Sequence, residues 1–198
     1  MCILYLGISL ERRGNTSKMD ELLVDKIRKI KLIISDVDGI LTDGSVFIGS
    51  DGTEFKQFTV EDGAGAAIAR LAKLPVALIS GRYSESTTIR AKEMKIEHCH
   101  QGKLDKIGSY EEICALYNVS SEQVLYIGDG YIDIPVMEMS GVAFTVPHAP
   151  SLVSDSADYV TQTPGGKGAF RETVELVLKI QDRHKGVLDE MRKNIYKS

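Results

Sequence analysis

The fold is decided by residues 31–44, which read KLIISDVDGILTDG. The apolar run Leu32–Ile34 is typical of a strand buried on both faces of a parallel sheet. It is followed by Asp36, Asp38 and a glycine, and ligands of open parallel sheets bind at the carboxyl ends of strands. Two carboxylates at that position favour Mg²⁺, which prefers hard oxygen ligands, and a carboxylate there can act as a nucleophile. The alternative is a strand followed by a plain aspartate-rich turn.

The composition is that of an ordinary globular chain. The 198 residues carry a formal net charge of −4 and show no basic stripe, which argues against a nucleic-acid partner. Cys2, Cys99 and Cys114 are scattered and form no CxxC pair, so we expect a reducing, cytoplasmic location rather than a disulfide framework. Residues 1–10 are apolar but too short to span a bilayer, and we expect no membrane partner.

The chain reads as one domain preceded by an extension. Residues 1–18 include a polar linker and are expected to lie outside the fold. The amphipathic pattern of residues 20–30 predicts a short helix that leads into the first strand. We therefore assign residues 1–30 to an N-terminal extension and residues 31–198 to a single domain, in which residues 164–198 form a glycine-rich tail and helix.

Downstream of the aspartates, strands alternate with helices, which predicts βαβ units and an α/β fold with a mainly parallel sheet. A β-hairpin with a Gly/Asp turn, residues 46–58, follows the aspartates and is placed to act as a flap. The predicted strands are residues 75–79, 96–100, 124–127, 142–146 and 158–161. The predicted helices are residues 62–73, 84–95, 105–117 (with Ile107, Ile113, Leu116 and Tyr117 inward) and 132–139, and a final helix after residues 165–168 that extends past Gly186.

Polar side chains collect at the predicted strand ends, namely Asp36, Asp38, Ser80, Lys106, Asp129 and Asp133. Each has an ordinary explanation of its own, such as a helix N-terminus at Ser80, a solvated helix lysine at Lys106 or a plain turn at Asp129. Together they supply what phosphoryl transfer requires: a nucleophile, an acid/base, a metal holder and donors for the phosphate oxygens.

The order of these motifs resembles the haloacid dehalogenase-like (HAD) phosphatase superfamily. Its first motif, DxDx[TV], matches Asp36–Ile40 with isoleucine in the last place. Its second motif is a Ser or Thr after a strand, here Ser80, and its third is a lysine, best matched by Lys106 with Lys103 as the competitor. Its fourth motif, GDxxxD, matches Gly128–Asp133. The resemblance implies a three-layer, Rossmann-like HAD fold.

Neither the segment before Ser80 nor the one after it is long enough for a large cap domain, so the chain resembles the capless branch of that superfamily. This branch includes phosphatases of 3-deoxy-D-manno-octulosonate 8-phosphate (KDO 8-phosphate) in lipopolysaccharide synthesis, and the resemblance covers nearly all of residues 31–180. One departure is Gly130, where the family usually has a second aspartate, and it bears on metal affinity. The resemblance runs through residues 42–44, 62–65, 80–82, 101–106, 135–137 and 165–172.

The resemblance also implies catalytic roles. Asp36 is the residue that attacks phosphorus and becomes an aspartyl-phosphate. Asp38 protonates the leaving sugar oxygen and then activates the hydrolytic water. Ser80 and Lys106 bind the phosphate oxygens.

The same resemblance implies a Mg²⁺ site and a set of substrate contacts. Mg²⁺ is expected to be held by Asp36, the backbone carbonyl of Asp38 and Asp129, while Asp133 orients Lys106 or a metal-bound water. Candidate substrate-binding residues are Thr42, Asp62, Gly63, Gly81, Arg82 and Lys167.

The implied reaction is hydrolysis of a sugar-acid phosphate, with KDO 8-phosphate favoured. The octulosonate branch tends to have an arginine at the position of Arg82, where it could pair with the sugar carboxylate, and the alternative is an exposed ion pair. Phosphatases of nine-carbon ketoaldonate 9-phosphates (KDN or N-acylneuraminate) tend to have an acidic residue there and are the runner-up. A phospho-accepting receiver module or a non-catalytic relative is an alternative of another class. A zinc site at His98 and His100 lacks a third ligand at a suitable spacing.

The missing cap predicts a homotetramer whose sites are completed by neighbouring chains. The apolar residues of the hairpin, residues 46–58, exceed what a free two-stranded ribbon can bury, and closed symmetry is the usual way to cover them. The resemblance implies tetramers in which the glycine-rich tail reaches an adjacent subunit's site. Residues 165–168 and the Lys167 ammonium are therefore expected near a neighbour's phosphate.

Overall fold

The computed structural model describes residues 20–195, and the predicted linker at residues 1–18 lies outside the described residues. The helices are α1 (Glu21–Arg28), α2 (Val60–Leu71), α3 (Glu85–Glu93), α4 (Ile107–Tyr117), α5 (Ile134–Met139), α6 (Ser151–Asp155), α7 (Ala169–Ile180) and α8 (His184–Ile195). The strands are β1 (Leu32–Ser35), β2 (Phe47–Ile48), β3 (Glu54–Phe55), β4 (Val76–Ser80), β5 (His98–Gln101), β6 (Val124–Ile127), β7 (Val142–Thr145) and β8 (Tyr159–Val160).

Six of these strands form one parallel sheet in the order β5-β4-β1-β6-β7-β8. β1 lies between β4 and β6, and its residues Leu32, Ile33 and Ile34 are fully buried, as its continuous apolar run predicts. The chain extends the sheet first on one side of β1 and later on the other. The carboxyl ends of β1, β4 and β6 therefore meet at the switch in strand order, where such sheets bind ligands. The predicted α/β fold is confirmed.

Helices cover both faces of the sheet. Because successive strand residues point to opposite faces, Ile33 packs with α1, α2 and α7, whereas Leu32 and Ile34 pack with α4, α5 and α6. Ile27 of α1 and the following Ile30 are buried in the first of these layers. The division at residue 30 stays a prediction, and the described part of the extension packs into the same core.

The helix α2 begins earlier than the sequence predicted. The Thr59 hydroxyl caps it by accepting the backbone N–H of Glu61 at 3.2 Å. Gly63 and Gly65 therefore lie inside the helix rather than before it. At Gly65 an added Cβ would lie 2.7 Å from Cα of Arg171, so this glycine allows α2 and α7 to pack closely.

The C-terminal helix is two helices rather than one long one. α7 ends at Ile180, and Asp182 has a φ of +56°, which a continuing helix does not allow. The five-residue helix α6 was not predicted because it is too short to show a helical period. In α4 the prediction for Leu116 was wrong, because its side chain is exposed and Tyr110 is buried instead.

The predicted hairpin is the antiparallel pair β2–β3, with Gly52 in the turn at a φ of +84°. It stands beside the carboxyl edge of the main sheet, and residues 20–195 contain no inserted cap domain. Within the same residues, no helix has the length and apolar character needed to cross a membrane.

Candidate active site

The carboxyl edge of the sheet brings four sequence motifs together around one cleft. Asp36 and Asp38 follow β1, Ser80 ends β4, and Asp129 follows β6. Each is placed there by a buried strand that fixes the backbone just before the functional side chain. The cleft has a volume of about 600 Å³ and is lined by Asp36, Asp38, Gly44, Val46, Gly81, Arg82, Leu104, Asp129, Gly130 and Ile132.

Lys106, not its competitor Lys103, is the lysine of this site. Its ammonium is fully buried and lies 2.8 Å from Asp36 Oδ1 and 2.6 Å from Asp133 Oδ1, whereas Lys103 is exposed. Burial alone would lower the pKa of Lys106, but the charges and hydrogen bonds of the two carboxylates outweigh it and raise that pKa. Lys106 is therefore a permanent cation beside Asp36.

The acidic side chains of the cleft carry more negative charge than Lys106 balances. Burial, and then the charge of Asp133, raise the pKa of Asp36 well above its usual value, although Lys106 opposes the shift. Burial, and then Asp133, raise the pKa of Asp129 to about 6. A divalent cation between Asp36 and Asp129 would remove this repulsion, so the donor set fits a hard metal ion.

Asp36, Asp129 and Asp133 each offer one carboxylate oxygen, and these oxygens lie within 4.8 Å of one another. The Asp133 carboxylate is already occupied. Its Oδ1 accepts hydrogen bonds from Lys106 and from the Tyr126 hydroxyl at 2.5 Å, and its Oδ2 accepts the Gly130 N–H at 2.9 Å. Asp36 and Asp129 therefore have more coordinating capacity left, and Asp133 is better suited to orient its neighbours.

The Asp38 side chain points to different partners. The Lys56 ammonium lies 2.6 Å from its Oδ1 and 2.9 Å from its Oδ2, and the Ser80 hydroxyl donates to Oδ2 at 3.3 Å. Lys56 was missed by the sequence analysis. The available signal was the alternation of Glu54 and Lys56, which places two opposite charges on one face of the flap.

Arg82 and Gly81 lie in the cleft, as the sequence predicted. The half-exposed guanidinium of Arg82 donates to Oε2 of Glu54 through Nε at 3.0 Å and Nη2 at 2.5 Å. This hydrogen bond lowers the pKa of Glu54. At Gly81 a Cβ would lie 2.7 Å from Cδ1 of Ile132, so only glycine leaves that wall of the cleft in place. Contact of Arg82 with a sugar carboxylate stays a prediction.

Asp62 and Gly63 are not among the residues that line the cleft, contrary to the prediction that they bind substrate. The buried Asp62 carboxylate accepts the backbone N–H of Arg171 at 3.2 Å, at the start of α7. At Gly63 an added Cβ would lie 2.9 Å from Nη2 of Arg90. Both residues therefore serve the packing of α2 against its neighbours.

Thr42 and the glycine-rich tail shape the loop after β1 from behind. The buried Thr42 hydroxyl accepts the backbone N–H groups of Gly39 at 3.2 Å and Gly44 at 3.1 Å. The Gly166 N–H donates to the carbonyl of Ile40 at 2.9 Å, and a Cβ at Gly165 would overlap the Gly39 carbonyl.

The prediction that residues 165–168 reach a neighbour's site is wrong, because this segment packs on its own chain. Lys167 is exposed beside Asp43, whose pKa it helps to lower, and it does not line the cleft. The prediction that its ammonium lies beside a phosphate is likewise not supported.

The two histidines of β5 form no metal site in the part of the chain that the structure describes. The His98 ring meets the Tyr117 ring edge-on at a centroid distance of 5.2 Å. His100 Nδ1 lies 3.7 Å from a carboxylate oxygen of Glu112. These are ordinary contacts of a strand at the edge of the sheet.

A parallel α/β sheet that carries an acidic cleft, a buried lysine and two aspartates after its central strand defines the class of hydrolases and transferases that act on phosphoryl groups. Residues 69–172 match the family model of the haloacid dehalogenase-like hydrolases. The chain belongs to this family, and the predicted membership is confirmed.

Several relatives share one printed name. The chain is 40% identical over 164 residues to the 3-deoxy-D-manno-octulosonate 8-phosphate phosphatase KdsC of Yersinia pestis, which covers 83% of this chain and 88% of the relative. It is 38% identical over 170 residues to KdsC of Escherichia coli K12, with 86% and 88% covered.

Solved structures agree with these relatives. The crystal structure of the Yersinia pestis phosphatase superposes with a TM-score of 0.82 at 39% identity and covers 84% of this chain and 90% of that one. The Moraxella catarrhalis phosphatase in complex with magnesium ion, phosphate ion and KDO superposes with a TM-score of 0.83 at 35% identity and covers 88% and 99%.

Proposed function

We propose that the protein is a Mg²⁺-dependent phosphatase that hydrolyses KDO 8-phosphate to 3-deoxy-D-manno-octulosonate and phosphate. The observation that carries this proposal is the buried Lys106 ammonium, which bridges Asp36 and Asp133 at the mouth of an acidic cleft. A receiver module does not need a second carboxylate beside the first, whereas Asp38 is held here within reach of the same cleft. The identity to phosphatases of that name extends over most of the chain.

In the first step, a carboxylate oxygen of Asp36 forms a bond to phosphorus and the bond from phosphorus to the sugar oxygen breaks. Asp38 gives its proton to that departing oxygen, and Lys106 and Ser80 hold the phosphate oxygens. In the second step, Asp38 takes a proton from water, whose oxygen attacks phosphorus, and phosphate leaves as the Asp36 carboxylate re-forms. These residue roles are proposals, and the cleft geometry supports them.

Asp36 and Asp129, with the backbone carbonyl of Asp38, are the residues that would hold Mg²⁺. When bound, the ion supplies positive charge that balances the carboxylates and the phosphate. The support is the raised pKa of both aspartates, which reports uncompensated negative charge in the apo cleft. Asp133 would keep Lys106 directed at the phosphate, because its Oδ1 holds the ammonium at 2.6 Å.

Arg82 is the proposed contact for the carboxylate of the sugar acid. Its guanidinium is half exposed at the cleft and is held by Glu54 through Nε and Nη2. Its remaining N–H groups are in position for a second carboxylate. The nine-carbon ketoaldonate 9-phosphates remain the alternative substrates, and a positively charged residue at this position favours the eight-carbon compound by resemblance.

Phosphate release from a panel of substrates tests this function. The panel contains KDO 8-phosphate, a nine-carbon ketoaldonate 9-phosphate and glucose 6-phosphate, each with Mg²⁺ and with a chelator. We expect the highest kcat/KM for KDO 8-phosphate, no turnover in chelator, and no turnover by Asp36→Asn, whose amide cannot attack phosphorus. Release by Asp36→Asn at the wild-type rate would contradict the proposed nucleophile, and a higher kcat/KM for the nine-carbon compound would change the substrate.

We also propose that the active form is a homotetramer in which hairpins from several chains pack together near the cleft. Phe47, Ile48 and Phe55 of the hairpin are exposed, and so are Leu104 and Ile132 at the rim of the cleft. Soluble chains rarely leave such a cluster uncovered. A neighbouring chain over this surface would also exclude water from the reaction. The cytoplasmic location stays a prediction.

A further inference from the structure

The hairpin carries a lysine whose charge is entirely buried. The Lys56 side chain has an exposed fraction of 0%, and both Asp38 oxygens lie within 3 Å of its ammonium, at 2.6 and 2.9 Å. Its next polar neighbours are more distant, with Thr87 Oγ1 at 3.4 Å and Glu54 Oε1 at 3.9 Å. Since burying an ammonium is unfavourable unless it is paired, Asp38 is the partner that keeps Lys56 in place.

The dependence also runs in the opposite direction. Apart from Lys56, the side-chain contact to the Asp38 carboxylate is the Ser80 hydroxyl at 3.3 Å, which also lies 2.8 Å from the carbonyl of Arg82. Without Lys56 the Asp38 carboxylate would keep only this long, shared hydrogen bond. Its side chain, 26% exposed, would then be free to rotate toward solvent.

Opposite charges continue along the hairpin in the order Asp38, Lys56, Glu54 and Arg82. Glu54 binds Arg82 through Oε2, and its backbone carbonyl accepts the Ser86 hydroxyl at 3.2 Å. The strands of the hairpin have two residues each, which is too short to hold a position alone. The flap is therefore anchored to the sheet through these charges, and one of its two charged anchors is the proposed general acid.

We propose that Lys56 is a positioning residue: its ammonium holds the Asp38 carboxyl group in the orientation from which it protonates the leaving oxygen. Correct seating of the flap is thereby coupled to general acid catalysis. This proposal rests on the proposed phosphatase function. It concerns only the step in which the bond from phosphorus to the leaving oxygen breaks.

Leaving-group dependence separates this role from a purely structural one. A strongly basic leaving oxygen needs a proton in the transition state, whereas p-nitrophenolate leaves without one. The value of kcat/KM covers steps up to the first irreversible one, so it is insensitive to later hydrolysis of the aspartyl-phosphate. The probes are aryl phosphates from phenyl phosphate to p-nitrophenyl phosphate, none of which has a carboxylate for Arg82.

Wild-type kcat/KM should vary little along this series. In Lys56→Met it should fall on the order of 10²-fold for phenyl phosphate but by only about threefold for p-nitrophenyl phosphate. Asp38→Asn should show the same steep dependence, and Lys56→Arg, which keeps the charge, should restore a shallower one. Glu54→Gln is the matched control, because it loosens the flap at Arg82 and leaves the Lys56–Asp38 pair intact, so it should keep the wild-type slope.

An equal loss for every aryl phosphate in Lys56→Met would overturn the positioning role while leaving the phosphatase function standing. If Lys56→Met does not purify as a folded protein, Lys56→Gln carries the same test with the same two outcomes. Absence of phosphate release by the wild type from the aryl series and from the sugar-acid panel would instead contradict the proposed function itself.

Discussion

At the scale of single residues, the cleft contains one position that departs from its relatives and can be tested directly. Gly130 lines the cleft and donates its backbone N–H to Asp133. Its φ of −102° is open to any residue, and an added Cβ would lie 3.4 Å from Asp133 Oδ2, so a side chain fits after a small adjustment.

We therefore predict that Gly130→Asp strengthens Mg²⁺ binding, because it adds a carboxylate beside Asp129. The Mg²⁺ concentration for half-maximal activity should fall roughly tenfold, the scale typical of groups that surround a metal site. Gly130→Ala is the control, since it adds the Cβ without the charge and should leave the value unchanged. An identical Mg²⁺ dependence in Gly130→Asp and Gly130→Ala would show that the missing aspartate has no effect on the metal.

The sequence could predict those site residues that directly follow a buried strand. Asp36, Ser80 and Asp129 were found because a short apolar run before each of them fixes where the side chain emerges. Lys56 could not be found in this way. Its hairpin is not part of the main sheet, and the distance from the flap to Asp38 depends on tertiary contacts that no local period records.

At the scale of elements, the errors have one cause: local patterns do not reveal which helix ends are capped from far away in the chain. Asp62 was predicted to bind substrate, but its carboxylate accepts the N–H of Arg171 and stabilises the start of α7 from 109 residues away in sequence. The break between α7 and α8 is another case. It occurs where Arg183 donates to the carbonyl of Ala72, a contact that only the folded chain provides.

Asp62 makes the stability of the α2–α7 pair depend on pH. Burial raises the pKa of Asp62 from 3.8 to about 6, although the backbone N–H groups of Arg171 and Phe170 and the charges of Arg90 and Arg171 oppose the shift. A folded-state pKa above the unfolded value means that the folded protein binds more protons between these two values. The contribution of Asp62 to stability is therefore full below about pH 4 and is lost as the pH rises through about 6.

We predict that Asp62→Asn removes this pH dependence, because the amide keeps an acceptor for the Arg171 N–H and carries no charge. The free energy of unfolding should match the wild type near pH 4 and exceed it by about 2–3 kcal/mol at pH 8. Urea unfolding at both pH values measures the difference. Asp158→Asn is a control at a partly exposed aspartate whose carboxylate likewise accepts a backbone N–H. A constant difference between wild type and Asp62→Asn at the two pH values would contradict the assignment.

At the scale of the whole molecule, the main question is what covers the apolar flap. Phe47 and Phe55 are cross-strand partners, with exposed fractions of 55% and 58%. They lie on the same hairpin as Lys56, so an assembly that buries them would also press Lys56 toward Asp38. Oligomerisation and the reactivity of the cleft would then be linked through one short element.

We predict that replacing both phenylalanines by serine lowers the mass in solution from that of a tetramer to that of a smaller species. The variant should also lose kcat/KM for KDO 8-phosphate, because the flap is no longer held from outside. Leu116→Ser is the matched control, since Leu116 is 56% exposed on α4, away from the hairpin, and should change neither quantity. Light scattering gives the mass, and steady-state kinetics on the same samples gives kcat/KM. A wild-type monomer, or a serine variant that dissociates without losing activity, would show that the cleft works without a neighbouring chain and that the flap is held by its own charged contacts alone.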